Sequence, residues 1–237
     1  MARQLPLGVG LRDAATFEAF EPAANGVALG WLRRAVAAAG VPGLGERGWF
    51  WGGAGSGRTH LLQAACHAAV ADGASAICLP AAAIAEAPGA VLDGLEQCRV
   101  VAIDDAGPLA GEDGCERALF DLCNRLQARG GLLLVAADGA PLAYRWGLPD
   151  LASRLAAAAV FRLRPLDDDG RVAALQRRAR LRGMTLPGRT ARFILARFPR
   201  DAEALFALLD ELDTASLSAQ RPLTVPFVRE LLAGRTP

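Results

Sequence analysis

Lysine is absent from the 237 residues, so all 26 basic side chains are arginine. The absence reads as a drift of the whole chain toward arginine and alanine, and it bears on any site that would ordinarily use an ammonium group. An apolar run of the roughly 18 uncharged residues that a membrane span needs is also missing. So is the apolar stretch of about 7 to 15 residues that would follow the basic start of a secretory signal, and the expectation is a cytoplasmic protein. Excess charge is lacking too. With 26 basic against 25 acidic residues the formal charge is +1, which leaves no overall electrostatic footprint for nucleic acid. Cys66, Cys78, Cys98, Cys115 and Cys123 are odd in number and show no CxxC spacing, so buried free thiols fit better than zinc or disulfides. No internal repeat is visible.

What is present is a globular composition, 52% hydrophobic and 22% charged, on a chain long enough for one α/β domain and a small satellite. A helix is expected over about 25–39, broken by Pro42, Gly43, Gly45 and Gly48. Short apolar runs at 48–51, 76–80, 99–105, 132–137 and 159–163 read as strands, with helices over about 57–71 and 114–129 between them. Strands of continuous apolar residues separated by helices argue for a parallel sheet covered on both faces, a doubly wound α/β architecture. Beyond Pro165 the strand signal disappears. Helices near 170–182, 188–198, 201–220 and 226–233 remain, bounded by Pro187, Pro199, Pro222 and Pro226, and form an all-helical satellite. The expected organisation is a tail over 1–11, an αβα domain over 12–165 and a helical domain over 166–237.

Two motifs carry the chemistry. Gly52, Gly53, Ala54, Gly55, Ser56, Gly57, Arg58 and Thr59 have the GxxxxGK[ST] spacing, with Arg58 in the lysine position, after a strand and before a helix. Glycines there let backbone N–H groups converge on phosphate oxygens at a helix N-terminus, and the Thr59 hydroxyl would serve Mg²⁺. An ordinary glycine-rich turn is the competing reading of this loop alone. The next helical residue, His60, completes the nucleotide-binding candidates of the loop. About 45 residues downstream the apolar run 100–103 ends in Asp104 and Asp105. Asp104 would hold the magnesium through water and Asp105 would orient an attacking water, whereas the competing reading is a pair of helix caps. Two such motifs on successive parallel-type strands favour a bound nucleotide. A guanidinium keeps the charge of the usual ammonium but not its compact shape, so binding is expected to outlast hydrolysis.

With these residues in place the chain resembles the AAA+ ATPases, and within them the clade of the replication initiator DnaA. The likeness covers nearly the whole chain and implies a P-loop domain followed by a lid. Residues Thr16 to Phe20 are similar to the clade's lead-in segment beside the adenine pocket. Asp138, ending the fourth strand, matches the sensor 1 position; Arg154 in 151–155 matches the arginine finger; Arg200 in 198–201 matches sensor 2. Read without the resemblance, both arginines are ordinary solvated side chains.

Two departures from the initiator direct the functional expectation. The sequence stops at Pro237, after the lid, without a helix-turn-helix DNA-reading domain, so direct sequence-specific DNA binding is not expected. At its front, Gln4, Leu5, Pro6 and Leu7 resemble the short peptide by which bacterial proteins bind the DNA polymerase III sliding clamp (its beta subunit). An initiator-like module with this peptide and no DNA domain is similar to a regulator that inactivates the initiator. The resemblance implies ADP or ATP with Mg²⁺ as cofactors and DnaA and the clamp as partners, and it allows a homo-oligomer. The expected activity is stimulation of hydrolysis of DnaA-bound ATP, with weak or no turnover of its own. The rival expectations are a helicase-loader or transposition-type AAA+ ATPase acting through its own turnover, and an adaptor that has lost nucleotide through Arg58.

Overall fold

The computed structural model describes residues 15–42, 45–198 and 202–233. The clamp-peptide residues Gln4, Leu5, Pro6 and Leu7, and the lid arginine Arg200, lie outside the described residues. The chain divides into two compact units with the boundary between Pro165 and Leu166.

In the first unit, β1 (Arg47–Trp51), β2 (Ala76–Pro80), β3 (Val100–Asp104), β4 (Leu132–Ala137) and β5 (Ala159–Arg162) form one parallel sheet in the order β2-β3-β4-β1-β5. Helices α1 (Gly26–Ala38), α2 (Arg58–Ala71), α3 (Ala81–Glu86), α4 (Pro88–Leu92), α5 (Asp113–Arg129) and α6 (Pro149–Ala156) cover it. Every residue of β4 is buried, as a central strand covered on both faces demands. Alternation divides the apolar side chains of β1 between two cores. Phe50 packs with Leu32 of α1 and Leu61 and Leu62 of α2, whereas Trp49 packs with Leu119 and Leu122 of α5 and Leu151 and Leu155 of α6. The pairs Trp51 with Ala137 and Ile103 with Val135 bring the carboxyl ends of β1, β4 and β3 level. The phosphate-type loop, Asp104 and Asp138 therefore leave the sheet along one edge.

Local departures from the expected elements have simple causes. Gly48 lies inside β1, as expected, and the Trp31 ring covers it so closely that a Cβ would come within 2.6 Å. Asn25, expected to open α1, spends its side chain elsewhere: its amide donates to the Arg164 carbonyl and accepts from the Arg164 N–H, both at 2.9 Å. The short helices α3 and α4 escape a reading based on period, since five or six residues give too few turns. Residues 149–155 belong to α6, with Pro149 in its first turn, where a missing N–H costs nothing. The cysteines are free; Cys66, Cys78, Cys115 and Cys123 are buried, whereas Cys98 is only half-buried. A hydrogen bond with Cys78 and burial push the Cys66 thiol up, and burial pushes Cys123 up to about 11.

The second unit consists of α7 (Asp168–Leu181), α8 (Gly188–Leu195), α9 (Ala202–Ala219) and α10 (Val225–Ala233). Leu175, Ile194, Leu209, Leu212, Phe227 and Val228 form its core. Asp167 caps α7 by accepting from the Gly170 N–H at 2.8 Å, which starts that helix earlier than periodicity alone suggests. Helix α8 stops at Leu195, short of the expected 198.

Candidate functional site

The loop between β1 and α2 is built by exclusion of side chains. Gly52 passes so close to the end of β5 that a Cβ would lie 2.4 Å from the Leu163 carbonyl oxygen. Gly55 and Gly57 have φ of +73° and +89°, the left-handed region that glycine enters at no steric cost. Gly57 also lies under Phe20, whose ring would meet a Cβ at 2.8 Å. The same ring is 5.5 Å from the His60 imidazole, and His60 Nε2 lies 2.9 Å from the Thr16 carbonyl oxygen. His60 is thus engaged by the lead-in segment, which it ties to the start of α2.

Two polar atoms of this loop are buried and without a partner: Ser56 Oγ and Arg58 Nη1. A buried donor left unpaired costs about 1–3 kcal/mol, so such atoms point to a group that the loop is built to receive. At the same edge, the Thr59 hydroxyl donates to Asp104 Oδ2 at 2.6 Å across 45 residues of sequence. Asp104 also accepts from the Asp105 N–H at 3.1 Å, and Asp105 turns left-handed with φ +57°, a conformation that aspartate tolerates better than most. Asp138 accepts from the Tyr144 hydroxyl, which in turn accepts from the Gly139 N–H at 3.0 Å. That hydroxyl, with help from the nearby Arg58 charge, holds the Asp138 carboxyl below the usual carboxylate range. Burial and the same bond hold the Tyr144 phenol up.

The structure therefore brings together Gly52 to Thr59, Asp104, Asp105 and Asp138. It does not bring Arg154 to them. That side chain packs over the Phe120 ring of α5, 4.8 Å from its centroid, and donates to Gln127 Oε1 at 3.4 Å. Helix α5 lies on the sheet face opposite α2. Among the described residues no group of three His, Cys, Asp or Glu could hold a metal on its own. A cation at Thr59 and Asp104 would need oxygens from another anion. Chemically the edge is an anion-receiving turn at a helix N-terminus, with a hydroxyl and a carboxylate placed for a hard cation beside it.

Sequence reasoning missed the role of Tyr144 at this site and those of Asn25 and Glu116 elsewhere in the first unit. Tyr144 is the only tyrosine, yet nothing in its neighbourhood signals a partner at Asp138. Asn25 and Glu116 are buried polar residues. Glu116, in the first turn of α5, has the sequence signature of an ordinary dipole-matching acid.

The sheet order, the phosphate-type loop and the helical second unit together define a AAA+ fold of the DnaA type with a lid. Domain III of Thermotoga maritima DnaA shares 21% identity over 95% of this chain and 98% of its own, with a TM-score of 0.70. AMPPCP-bound DnaA from Aquifex aeolicus shares 20% identity over 86% of this chain and 65% of its own, with a TM-score of 0.69. A DNA replication initiation factor shares 20% identity over 87% of this chain, with a TM-score of 0.69, and this chain spans 66% of it. The more particular likeness is to Hda. Residues 168–232 match the family model of the Hda lid domain, so an Hda-type lid here follows a DnaA-type AAA+ domain. Together these likenesses support a DnaA-type AAA+ fold followed by an Hda-type lid. No described helix is long and apolar enough to cross a membrane.

Proposed function

We propose that this protein binds ADP or ATP with Mg²⁺ at Gly52 to Thr59 and inactivates DnaA by accelerating hydrolysis of the ATP that DnaA holds. One observation carries the nucleotide half: the 2.6 Å bond from Thr59 to Asp104, beside the partnerless Ser56 Oγ and Arg58 Nη1. These residues fit a magnesium nucleotide. The loop amides and Arg58 would hold the phosphates, Thr59 and Asp104 the cation, Asp138 would sense the terminal phosphate or its water, and Arg200 would serve as sensor 2. Mg²⁺ held there would supply positive charge to offset that of the phosphates. Asp105 would orient water. The wide fork of Arg58 in place of an ammonium keeps turnover at this site weak.

The regulatory half is supported by Arg154, which packs on the flank away from its own loop and, among the described residues, has a weak neutral acceptor there in Gln127. Offered to a neighbouring DnaA, it would meet the charge that develops on the transferred phosphoryl group. An arginine finger supplied in trans is worth about 10³–10⁵ in rate. Gln4 to Leu7 would tether the protein to the DNA-loaded sliding clamp.

The test is hydrolysis of DnaA-bound ATP with and without this protein, clamp and DNA, comparing wild type with Arg154→Ala. Stimulation by wild type should require the clamp and vanish in the variant. Equal stimulation by both proteins removes the finger reading. Brisk intrinsic turnover driven by single-stranded DNA would instead favour an ATPase that works on its own account.

A further inference from the structure

Glu116 is a carboxylate buried to 1% exposure, and among the described residues its hydrogen-bond donors are backbone amides. Oε1 accepts from the Gly111 N–H at 2.7 Å and the Gly147 N–H at 2.9 Å, and Oε2 accepts from the Leu148 N–H at 2.7 Å. Gly147 and Leu148 are the last two residues before α6, and Gly111 lies in the loop that follows the acidic end of β3. Charge-assisted bonds of this length, sealed from water, are among the strongest fixings that a single side chain can give a loop.

The other end of α6 meets the same helix. Arg154, in the last turn of α6, packs over Phe120 and reaches Gln127. Residues 116, 120 and 127 of α5 are spaced by four and seven, so they line one stripe of that helix. Between Asp138 and this stripe the chain is pinned repeatedly. Trp49 Nε1 donates to the Gly139 carbonyl and Trp146 Nε1 to the Pro141 carbonyl, each at 2.9 Å.

We propose that Glu116 is the positioning residue of the arginine helix: its three backbone bonds fix where α6 begins on α5, and so fix the point from which Arg154 is presented to a partner's nucleotide. The inference rests on the reading of Arg154 as the finger. Glu116 touches no reacting atom; it sets the aim of a side chain that does.

Glu116→Gln separates the two ideas. Its carbonyl can keep Gly111 and Gly147, but its NH₂ group faces the Leu148 N–H, donor against donor. In the DnaA stimulation assay, the maximal rate at saturating protein should fall about tenfold while the half-saturating concentration stays put. A variant that merely loses folded protein does the reverse: its half-saturating concentration rises and the maximal rate is regained. That reverse pattern, or a full maximal rate with Arg154→Ala inactive, overturns the inference and spares the finger. Arg154→Ala that stimulates like wild type overturns the finger reading itself. Amide exchange on the wild-type protein supplies a test that needs no variant. The Gly147 and Leu148 amides should exchange as slowly as amides of the sheet, and exchange at the rate of an open loop would overturn the anchoring.

Discussion

The carboxyl edge of the sheet and the α5–α6 flank treat polar atoms in opposite ways. At the edge, Ser56 Oγ and Arg58 Nη1 are buried without partners, and Thr59 in the first turn of α2 donates to Asp104 at the end of β3. On the flank, both oxygens of Glu116 are taken up by amides of the same chain. The first region is left incomplete for a ligand to finish. The second is finished in advance, which suits a region that holds the start of a helix in place. Substitutions at the edge should accordingly show in ligand binding, and those on the flank in the aim of Arg154.

The sharpest way to break this contrast is Gly52→Ala. The added Cβ would lie 2.4 Å from the Leu163 carbonyl and 3.1 Å from Ser56 Oγ, so the loop must move. Overpacking of this kind costs about 1–3 kcal/mol, and binding of Mg·ADP in calorimetry should be lost. Wild-type affinity in that variant would mean that the nucleotide lies elsewhere. A smaller effect is expected from Arg58→Ala. Hydrogen bonds to charged groups contribute about 1.5–3 kcal/mol, so affinity should fall roughly ten- to hundredfold. The melting temperature should hardly change, since Nη1 has no protein partner to lose. A large drop in melting temperature would show Arg58 to be structural.

The smallest effect concerns proton affinity. Tyr144→Phe removes the hydroxyl that holds the Asp138 carboxyl down, so its midpoint in an NMR titration should rise toward the ordinary carboxylate value. Because the folded value is depressed, the contribution of Asp138 to stability is present above its unfolded pKa and is lost as pH falls through the folded one. The variant should therefore lose less stability than wild type on acidification across that window. An unchanged midpoint would assign the depression to Arg58 instead.

The edge was legible in the sequence, and the flank was not. Strands such as 132–137 announce themselves because burial on both faces demands an unbroken apolar run. The loop announces itself because phosphate-type turns need glycines at fixed offsets, here 52, 55 and 57. Glu116 depends instead on amides 5, 31 and 32 residues away, and a backbone N–H leaves no mark in a sequence. The partner of Tyr144 is six residues back, at a distance that no helical or strand period singles out. Likewise, Asn25 has the residue type of a helix cap, and only the fold reveals that it closes on Arg164, 139 residues later.

The amide oxygen of Gln127 is shared. Arg47 donates to it at 2.9 Å and Arg154 at 3.4 Å, so two like charges lean on one neutral acceptor. Departure of Arg154 would relieve that crowding and leave the shorter bond to Arg47 in place. What the side chain gives up is chiefly its stacking on Phe120, a contact worth about 0.5–1 kcal/mol at an exposed site. Release of the guanidinium is therefore nearly free, so that, if Arg154 is the finger, almost all the favourable energy of meeting a phosphate would go to the encounter.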